Sequence, residues 1–261
     1  MARTTLAVLS LALVLLLAAT NILHAAPAEK SVRVIYLVPK DGEHRKDYQA
    51  AIEAGVLDLQ VWYYGHVGKT FRLNRPIVEV KQTDHDSAWY DAHEPANKPG
   101  QKFHTFYNAL EDAQRYFGAK PGDPDFVWMI YVDAPGGTGA GFTGVAILPK
   151  HDLEGLIGKA PDKTPISRWF GGAGHELGHA FSRPHPGDAH PQAIMQLGYI
   201  TYPACYLTPD DIRALDASPF FHADRPDTFQ GRGRFVYRYN GGYFVKADGA
   251  KWEERKTGSD E

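Results

Sequence analysis

The chain has 261 residues, a formal net charge of −3 and 43% hydrophobic residues. These values are typical of a globular protein with one domain large enough for a sizeable core. The small net charge gives no electrostatic basis for binding nucleic acid or an anionic membrane surface. Cys205 is the only cysteine, so no internal disulfide can form, and we interpret it as a buried structural thiol.

Residues 1–28 are predicted to be a secretory signal peptide. Arg3 supplies a positive start, Leu6–Ala19 is apolar apart from one serine, and small residues follow, among them Ala25 and Ala28. The apolar run is shorter than the roughly 20 residues that a membrane helix needs, although an uncleaved anchor is the alternative. We expect an exported protein, secreted or periplasmic, with no integral membrane association after cleavage.

The next segment predicts a strand, a covering helix and a second strand. Val32–Val38 is β-branched and mostly apolar on both faces, which indicates a buried strand. His44–Tyr64 has apolar residues at helical spacing, and Phe71–Gln82 is predicted to be another strand. Asp84–Pro99 is polar and proline-bearing and is predicted to be a surface loop. Three residues of this loop could hold a second ion, but we interpret them as solvated: His85, His93 and Glu94.

The middle of the chain continues the alternation of helices and strands. Phe103–Phe117 has aromatic and aliphatic residues at steps of three and four, which predicts a second helix. Phe126–Val132 is the most hydrophobic strand candidate outside the signal, so we place it at the centre of the sheet. Pro135–Gly144 holds five glycines and is predicted to be a flexible loop.

Val145–Leu148 is predicted to be a short strand at the edge of the sheet. An edge strand can hold an extended peptide by main-chain hydrogen bonds, which would suit a peptidase. His151 and Asp152 follow directly. We interpret both as surface residues, with a role in a substrate cleft as the alternative.

The motif that carries chemistry is His175-Glu176-Leu177-Gly178-His179. Residues four apart on an α-helix lie on one face about 6 Å apart along the axis, so both imidazoles can reach one metal ion. Glu176 then projects beside the metal, where it can polarise a water molecule. Nitrogen ligands in a tetrahedral site with one open position favour zinc.

His185 is the best candidate for the third metal ligand. It lies ten residues after His175, beyond the reach of the same helical face, so the chain must turn back towards the metal. Pro184 gives this turn a physical cause, because it cannot continue a helix and biases Arg183 away from helical angles. His190 is the alternative third ligand.

These residues resemble the signature of the metzincin metallopeptidases, a His-Glu-x-x-His-x-x-Gly-x-x-His string followed by a methionine-containing turn. His175, Glu176, His179 and His185 match it position by position, and Met195 is the candidate for the methionine turn. The resemblance implies an α+β, metzincin-like fold: a twisted mixed sheet covered by helices, an active-site helix and a small C-terminal subdomain. It also implies that Met195 supports the metal site without taking part in the chemistry.

Two positions depart from the family pattern. Ser182 stands where the family has glycine, and serine is strained in a left-handed conformation, so we expect the helix to end by another geometry. Some metzincins have a metal-proximal tyrosine two residues after the methionine, where this chain has Leu197. Tyr199 comes later and is interpreted as a core or rim tyrosine, with a site role as the alternative. Asp188 is a candidate partner for a ligand histidine.

The C-terminal part predicts one capped helix and a small β meander. Thr208 is a helix cap and Pro209 takes the first helical position of a helix that reaches about Ala217. Phe235–Tyr239 and Tyr243–Lys246 predict a hairpin, followed by another turn. The predicted organisation is therefore a signal peptide (1–28), a catalytic domain (29–225) and a small β segment with a polar tail (226–261). That segment either contacts a surface or glycan or simply packs on the enzyme.

Together these features predict a secreted zinc endopeptidase. Zinc held by the three histidines would activate water, and Glu176 would act as general base and later protonate the leaving amine. The partner would be a protein or peptide substrate. One alternative keeps the zinc but cleaves another amide, as a cell-wall amidase does. Another is an extracellular glycan- or protein-binding protein in which zinc is structural; Glu176 argues against it, because a structural site needs no base.

Overall fold

The computed structural model describes residues 29–95, 103–224 and 226, together with the backbone of three later strands. The helices are α1 (Lys46–Val67), α2 (Ser87–Ala92), α3 (His104–Phe117), α4 (Lys150–Leu156), α5 (Ile166–Ala180), a 3-10 turn (Gly198–Thr201) and α6 (Pro209–Asp216). The strands are β1 (Ser31–Val38), β2 (Thr70–Phe71), β3 (Leu73–Gln82), β4 (Phe126–Val132), β5 (Ala140–Phe142), β6 (Val145–Leu148), β7 (Phe221–His222), β8 (Arg234–Tyr239), β9 (Gly242–Ala247) and β10 (Glu253–Lys256).

The main sheet has five strands in the order β3-β1-β4-β6-β5. All its pairs are parallel except β5 with β6. The predicted central place of β4 is confirmed, and β1 is buried on both faces as its sequence predicted. The predicted edge position of Val145–Leu148 is wrong, because three residues of the glycine-rich loop add β5 outside it.

Helices cover both faces of this sheet. Alternate side chains of β1 and β4 enter two separate hydrophobic clusters, as expected for strands buried on both sides. One cluster contains apolar residues of α1, α4 and α5, and the other contains those of α2 and α3. The predicted fold class, a mixed sheet covered by helices, is confirmed.

Other local predictions from the sequence needed correction. The predicted loop Asp84–Pro99 contains the short helix α2, and the predicted strand Phe71–Gln82 is divided between β2 and β3. The sequence prediction omitted α4, a helix of only seven residues, of which three are charged. Cys205 is buried as predicted.

The C-terminal predictions are confirmed where the structure describes them. Thr208 accepts a hydrogen bond from the Asp211 amide and the Asp211 carboxylate accepts one in return, which makes a full capping box at the start of α6. Strands β8, β9 and β10 form an antiparallel meander. The predicted signal peptide and the two meander turns lie outside the described residues. Within the described part of the chain, no helix is long and apolar enough to cross a membrane.

Candidate metal centre

Helix α5 packs closely on the segment that follows it in the chain. A Cβ atom on Gly178 would lie 2.2 Å from the Met195 sulfur, and one on Gly171 would lie 2.2 Å from the Tyr199 carbonyl oxygen. Both glycines are therefore required for this approach. Met195 is fully buried beneath the helix, which is the position predicted for the methionine turn.

The C-terminal end of α5 uses the left-handed geometry that we did not expect from serine. Ser182 has a φ of 63°, its amide donates to the His179 carbonyl, and the Arg183 amide donates to the Gly178 carbonyl. These two bonds define a Schellman motif with serine at the position usually occupied by glycine. The Ser182 hydroxyl also donates a 3.2 Å hydrogen bond to Thr143 on the neighbouring loop. The chain therefore reverses at once after α5.

This reversal brings the three predicted histidines together. The Nε2 atoms of His175 and His179 are 3.1 Å apart, those of His179 and His185 are 3.0 Å apart, and those of His185 and His175 are 3.2 Å apart. Within the described residues this is the one cluster of three or more residues that could hold a metal ion. His190, the alternative third ligand, lies elsewhere and pairs with the Tyr206 hydroxyl at 3.2 Å.

The hydrogen bonds behind the rings fix which nitrogens face the centre of the cluster. His175 Nδ1 lies 2.6 Å from the Ile194 carbonyl oxygen, and His179 Nδ1 lies 2.7 Å from that of Arg183. A carbonyl oxygen only accepts, so each Nδ1 carries the proton and each facing Nε2 is left with a lone pair. Two such nitrogens cannot hydrogen-bond to each other, and their 3.1 Å separation suits a cation bound between them.

Zinc fits this arrangement of donors. At zinc–nitrogen distances of about 2.0–2.1 Å, tetrahedral ligands lie about 3.3 Å apart, close to the separations seen here. Backbone carbonyls accept the hydrogen bonds that orient the rings of His175 and His179, a task that carboxylate side chains often perform at metal sites. Asp188 is exposed, and its proposed contact with a ligand histidine stays a prediction.

Burial sets the protonation of the groups around the cluster. It lowers the pKa of His175 to about 4, so this ring is neutral and able to bind a metal at neutral pH. Burial, with a smaller effect of Asp152, raises the pKa of Glu176 to about 7. The Gly141 amide on β5 donates a hydrogen bond to the Glu176 carboxylate and opposes this rise. The edge strand thereby helps to hold Glu176 beside the three histidines.

A polar pocket adjoins the cluster and includes residues that the sequence did not single out for it. Tyr199 is half-buried and packs against the hydrophobic core, as expected for a core or rim tyrosine, and its ring centroid also lies 5.1 Å from that of His175. A role for Tyr199 in the site stays a prediction. The interpretation of Asp152 as a surface residue is wrong, since it is only 4% exposed. The pocket is lined by Thr138, Gly139, His151, Asp152, Arg168, Gly172, His175, Glu176 and Tyr199.

No sequence signal marked Arg168, and none distinguished Asp152 from a surface acid. Asp152 belongs to α4 and Arg168 to α5, and the tertiary fold brings the two residues together. Both are charged residue types, and a sequence pattern alone therefore places them at the exposed surface.

Solved structures of one bacterial protein share this fold. Catalytically inactive OgpA from Akkermansia muciniphila, crystallised with the O-glycopeptide substrate glycodrosocin, matches with a TM-score of 0.56 and 18% identity, over 84% of this chain and 71% of that one. A wild-type OgpA structure matches with a TM-score of 0.54 and 20% identity, over 90% and 81%. At these identities the similarity establishes the fold alone.

Archaemetzincin from Methanopyrus kandleri matches more weakly. Its TM-score is 0.36 at 14% identity, over 72% of this chain and 95% of that one, and no conclusion rests on it. No family model matches the sequence. The comparison with curated proteins found no match.

Proposed function

We propose that this protein is an exported zinc-dependent hydrolase that cleaves peptide bonds. The observation that carries the proposal is the convergence of three imidazole Nε2 atoms within 3.2 Å of one another. Glu176 lies on α5, the helix that also carries His175 and His179. His175, His179 and His185 would hold the metal. The neutral state that burial imposes on His175 supports this role.

The residues around the cluster have separate tasks. Zinc, when bound, supplies a Lewis acid that polarises the substrate carbonyl and lowers the pKa of water. Glu176, with its raised pKa, is suited to accept a proton from the attacking water and to pass it to the amine that leaves. The Gly141 amide keeps this carboxylate in place. Met195 supports the helix from beneath and does not touch the substrate.

Strand β5 offers a surface for the substrate backbone. It pairs with β6 on one side, and no strand of the described chain pairs with its other side. Gly141 of this strand also contacts the main chain of α5 at Glu176. An extended peptide added to this edge would therefore run beside the proposed general base, with its carbonyls fixed by main-chain hydrogen bonds.

The substrate bound by OgpA suggests which peptides to test first. That protein shares the fold and was crystallised with an O-glycopeptide, so glycosylated peptides belong beside an unfolded protein in any assay. The predicted signal peptide supports a location outside the cytoplasm. Contact of the β8–β10 meander with a surface or glycan stays a prediction.

Cleavage by the Glu176→Gln variant tests the proposal. Zinc-loaded wild type should produce new amino termini from casein or from O-glycosylated peptides. The variant should keep its zinc and lose about 10²- to 10⁴-fold in rate, because glutamine cannot accept the proton. Glu111→Gln, at an exposed position of α3, is the matched control and should match wild type. Cleavage by Glu176→Gln at the parental rate, or no cleavage by wild type, would refute the proposal.

A further inference from the structure

The pocket beside the metal centre has polar groups that the proposed hydrolysis does not use. Its floor and walls come from α4, α5 and the loop before β5, and His175 and Glu176 form part of its lining. A group bound there would belong to a substrate residue next to the bond that is cleaved. The chemistry of the lining then decides which side chains fit.

Asp152 lines this pocket, and one oxygen of its buried carboxylate makes no hydrogen bond within the described chain. Its side chain is 6% exposed, and its Oδ2 has no hydrogen-bond partner among the described residues. His151 Nε2 lies 3.2 Å away, but the pair lacks hydrogen-bonding geometry. Leaving a buried oxygen of this kind without a donor costs about 1–3 kcal/mol, which a suitable ligand would recover.

Arg168 provides donors in the same pocket. Its guanidinium carbon lies 4.4 Å from the centroid of the Trp169 ring and 5.0 Å from that of Tyr199, so two aromatic faces hold it in place. Gly172 leaves room for it, because a Cβ there would lie 2.8 Å from a guanidinium nitrogen. None of the ion pairs found in the described chain involves Arg168.

These two groups exclude most classes of guest. A lysine or arginine side chain would be attracted by Asp152 but repelled by the guanidinium of Arg168, and an acidic side chain would be attracted by Arg168 but repelled by Asp152 and Glu176. An aliphatic side chain would bury the Asp152 oxygen without a donor. A neutral group that both donates and accepts hydrogen bonds satisfies Asp152 and Arg168 together.

The protonation of Asp152 is compatible with such a guest. Burial raises the pKa of Asp152 to about 7, and Arg168 opposes this rise. Near neutral pH the carboxyl group is therefore present both ionised and protonated. A hydroxyl or a primary amide can donate to the first form and accept from the second.

We propose that this pocket selects substrates with a neutral, hydrogen-bonding group on a residue flanking the cleaved bond, bound by Asp152 and Arg168. Two sources supply this chemistry: the hydroxyls of a sugar on serine or threonine, and the side-chain amide of asparagine or glutamine. The inference depends on the proposed function for the position of the bond, but the preference for a neutral polar guest is a property of binding alone.

Peptide binding to the zinc-loaded Glu176→Gln protein tests this inference without any need for turnover. The probes are fluorescent peptides of one sequence with a single guest position, occupied by O-GalNAc-threonine, glutamine, alanine, lysine or aspartate and moved across the central residues. The glycosylated or the glutamine peptide should bind about tenfold or more tightly than the other three. Whichever of these two peptides binds more tightly shows whether the pocket prefers a sugar hydroxyl or a side-chain amide.

Substitutions of Asp152 should remove the preference for a neutral polar side chain without weakening binding of the alanine peptide. Asp152→Ala and the isosteric Asp152→Asn, each added to Glu176→Gln, should reduce the affinity for the preferred peptide and leave the alanine peptide within twofold. Asp84→Asn, at an exposed site, is the matched control. Equal affinity for all guests, preference for lysine or aspartate, no binding, or preference unaltered by both Asp152 changes would overturn the inference. Cleavage by wild type without guest preference would uphold the hydrolase and reject the pocket.

Discussion

Two buried aspartates lie on opposite faces of the central sheet and differ in their partners. Asp112, on α3, is fully buried and accepts hydrogen bonds from the Tyr90 hydroxyl at 2.6 Å and from His85 at 3.1 Å. Asp152, on α4, is almost as buried but keeps one oxygen without a hydrogen-bond partner. The two aspartates are therefore buried to a similar degree, and they differ in whether their carboxylate oxygens accept hydrogen bonds.

Histidines on the same two faces of the sheet show the same contrast. His85 stacks on Trp89 with ring centroids 3.6 Å apart and directs its Nδ1 at Asp112, so its polar atoms serve the fold. His175 and His179 direct their Nδ1 atoms at backbone carbonyls and leave both Nε2 atoms facing a common point. A completed network stabilises a fold, whereas unused hydrogen-bonding capacity beside a pocket is available to a bound ligand.

Removing Asp112 should cause the largest loss of stability. Asp112→Ala leaves the Tyr90 hydroxyl and His85 without their buried acceptor and should lower the free energy of unfolding by about 3 kcal/mol. Urea unfolding followed by circular dichroism measures the change. Zinc content of the folded variant should equal that of wild type. A loss below 0.5 kcal/mol, on the order of a surface substitution, would contradict a structural role.

Asp152→Asn should instead raise stability, and only at higher pH. The pKa of Asp152 is about 7 in the folded protein and 3.8 for the ordinary group, so the folded state holds the proton more tightly. Its contribution is fully present below pH 4 and is lost as the pH rises through 7. In metal-free protein the variant should match wild type at pH 4 and exceed it by about 4 kcal/mol at pH 8, since each pKa unit of the rise corresponds to about 1.4 kcal/mol. Equal unfolding curves at pH 8 would contradict this account.

Ser182→Gly should give the smallest effect, a gain of about 0.5–1 kcal/mol. Glycine relieves the left-handed strain at a φ of 63°, although it loses the hydroxyl contact with Thr143 and more chain entropy on folding. Ser167→Gly, in the first turn of α5, is the matched control, because its backbone is not left-handed, and it should lower stability. A loss of stability in Ser182→Gly would show that the hydroxyl contact outweighs the strain.

The sequence predicted those parts of the molecule that depend on local spacing. The four-residue step from His175 to His179 and the proline after the helix were sufficient to expect that His185 returns to the cluster. The hydrophobic run Phe126–Val132 likewise predicted the central strand with its correct bounds. In each case the structure is determined by interactions within a few residues of the chain or along one strand.

The missed features depend on contacts between distant parts of the chain. Strand β5 forms in a glycine-rich segment because the neighbouring β6 offers main-chain partners, which no local propensity indicates. The burial of Asp152 depends on α4 packing near α5, and the left-handed Ser182 is stabilised by its turn bonds and by Thr143. The histidine cluster was therefore predictable from sequence, whereas the pocket beside it was not.

Zinc content of single histidine variants tests the central claim most directly. Purified wild type should hold one zinc ion per chain by elemental analysis, and His185→Ala should bind it far more weakly while keeping its circular dichroism spectrum. His85→Ala and His190→Ala are the matched controls, because both histidines lie outside the cluster, and each should retain the full metal content. Full zinc occupancy of His185→Ala at limiting free zinc, or loss of zinc in His190→Ala, would contradict the account.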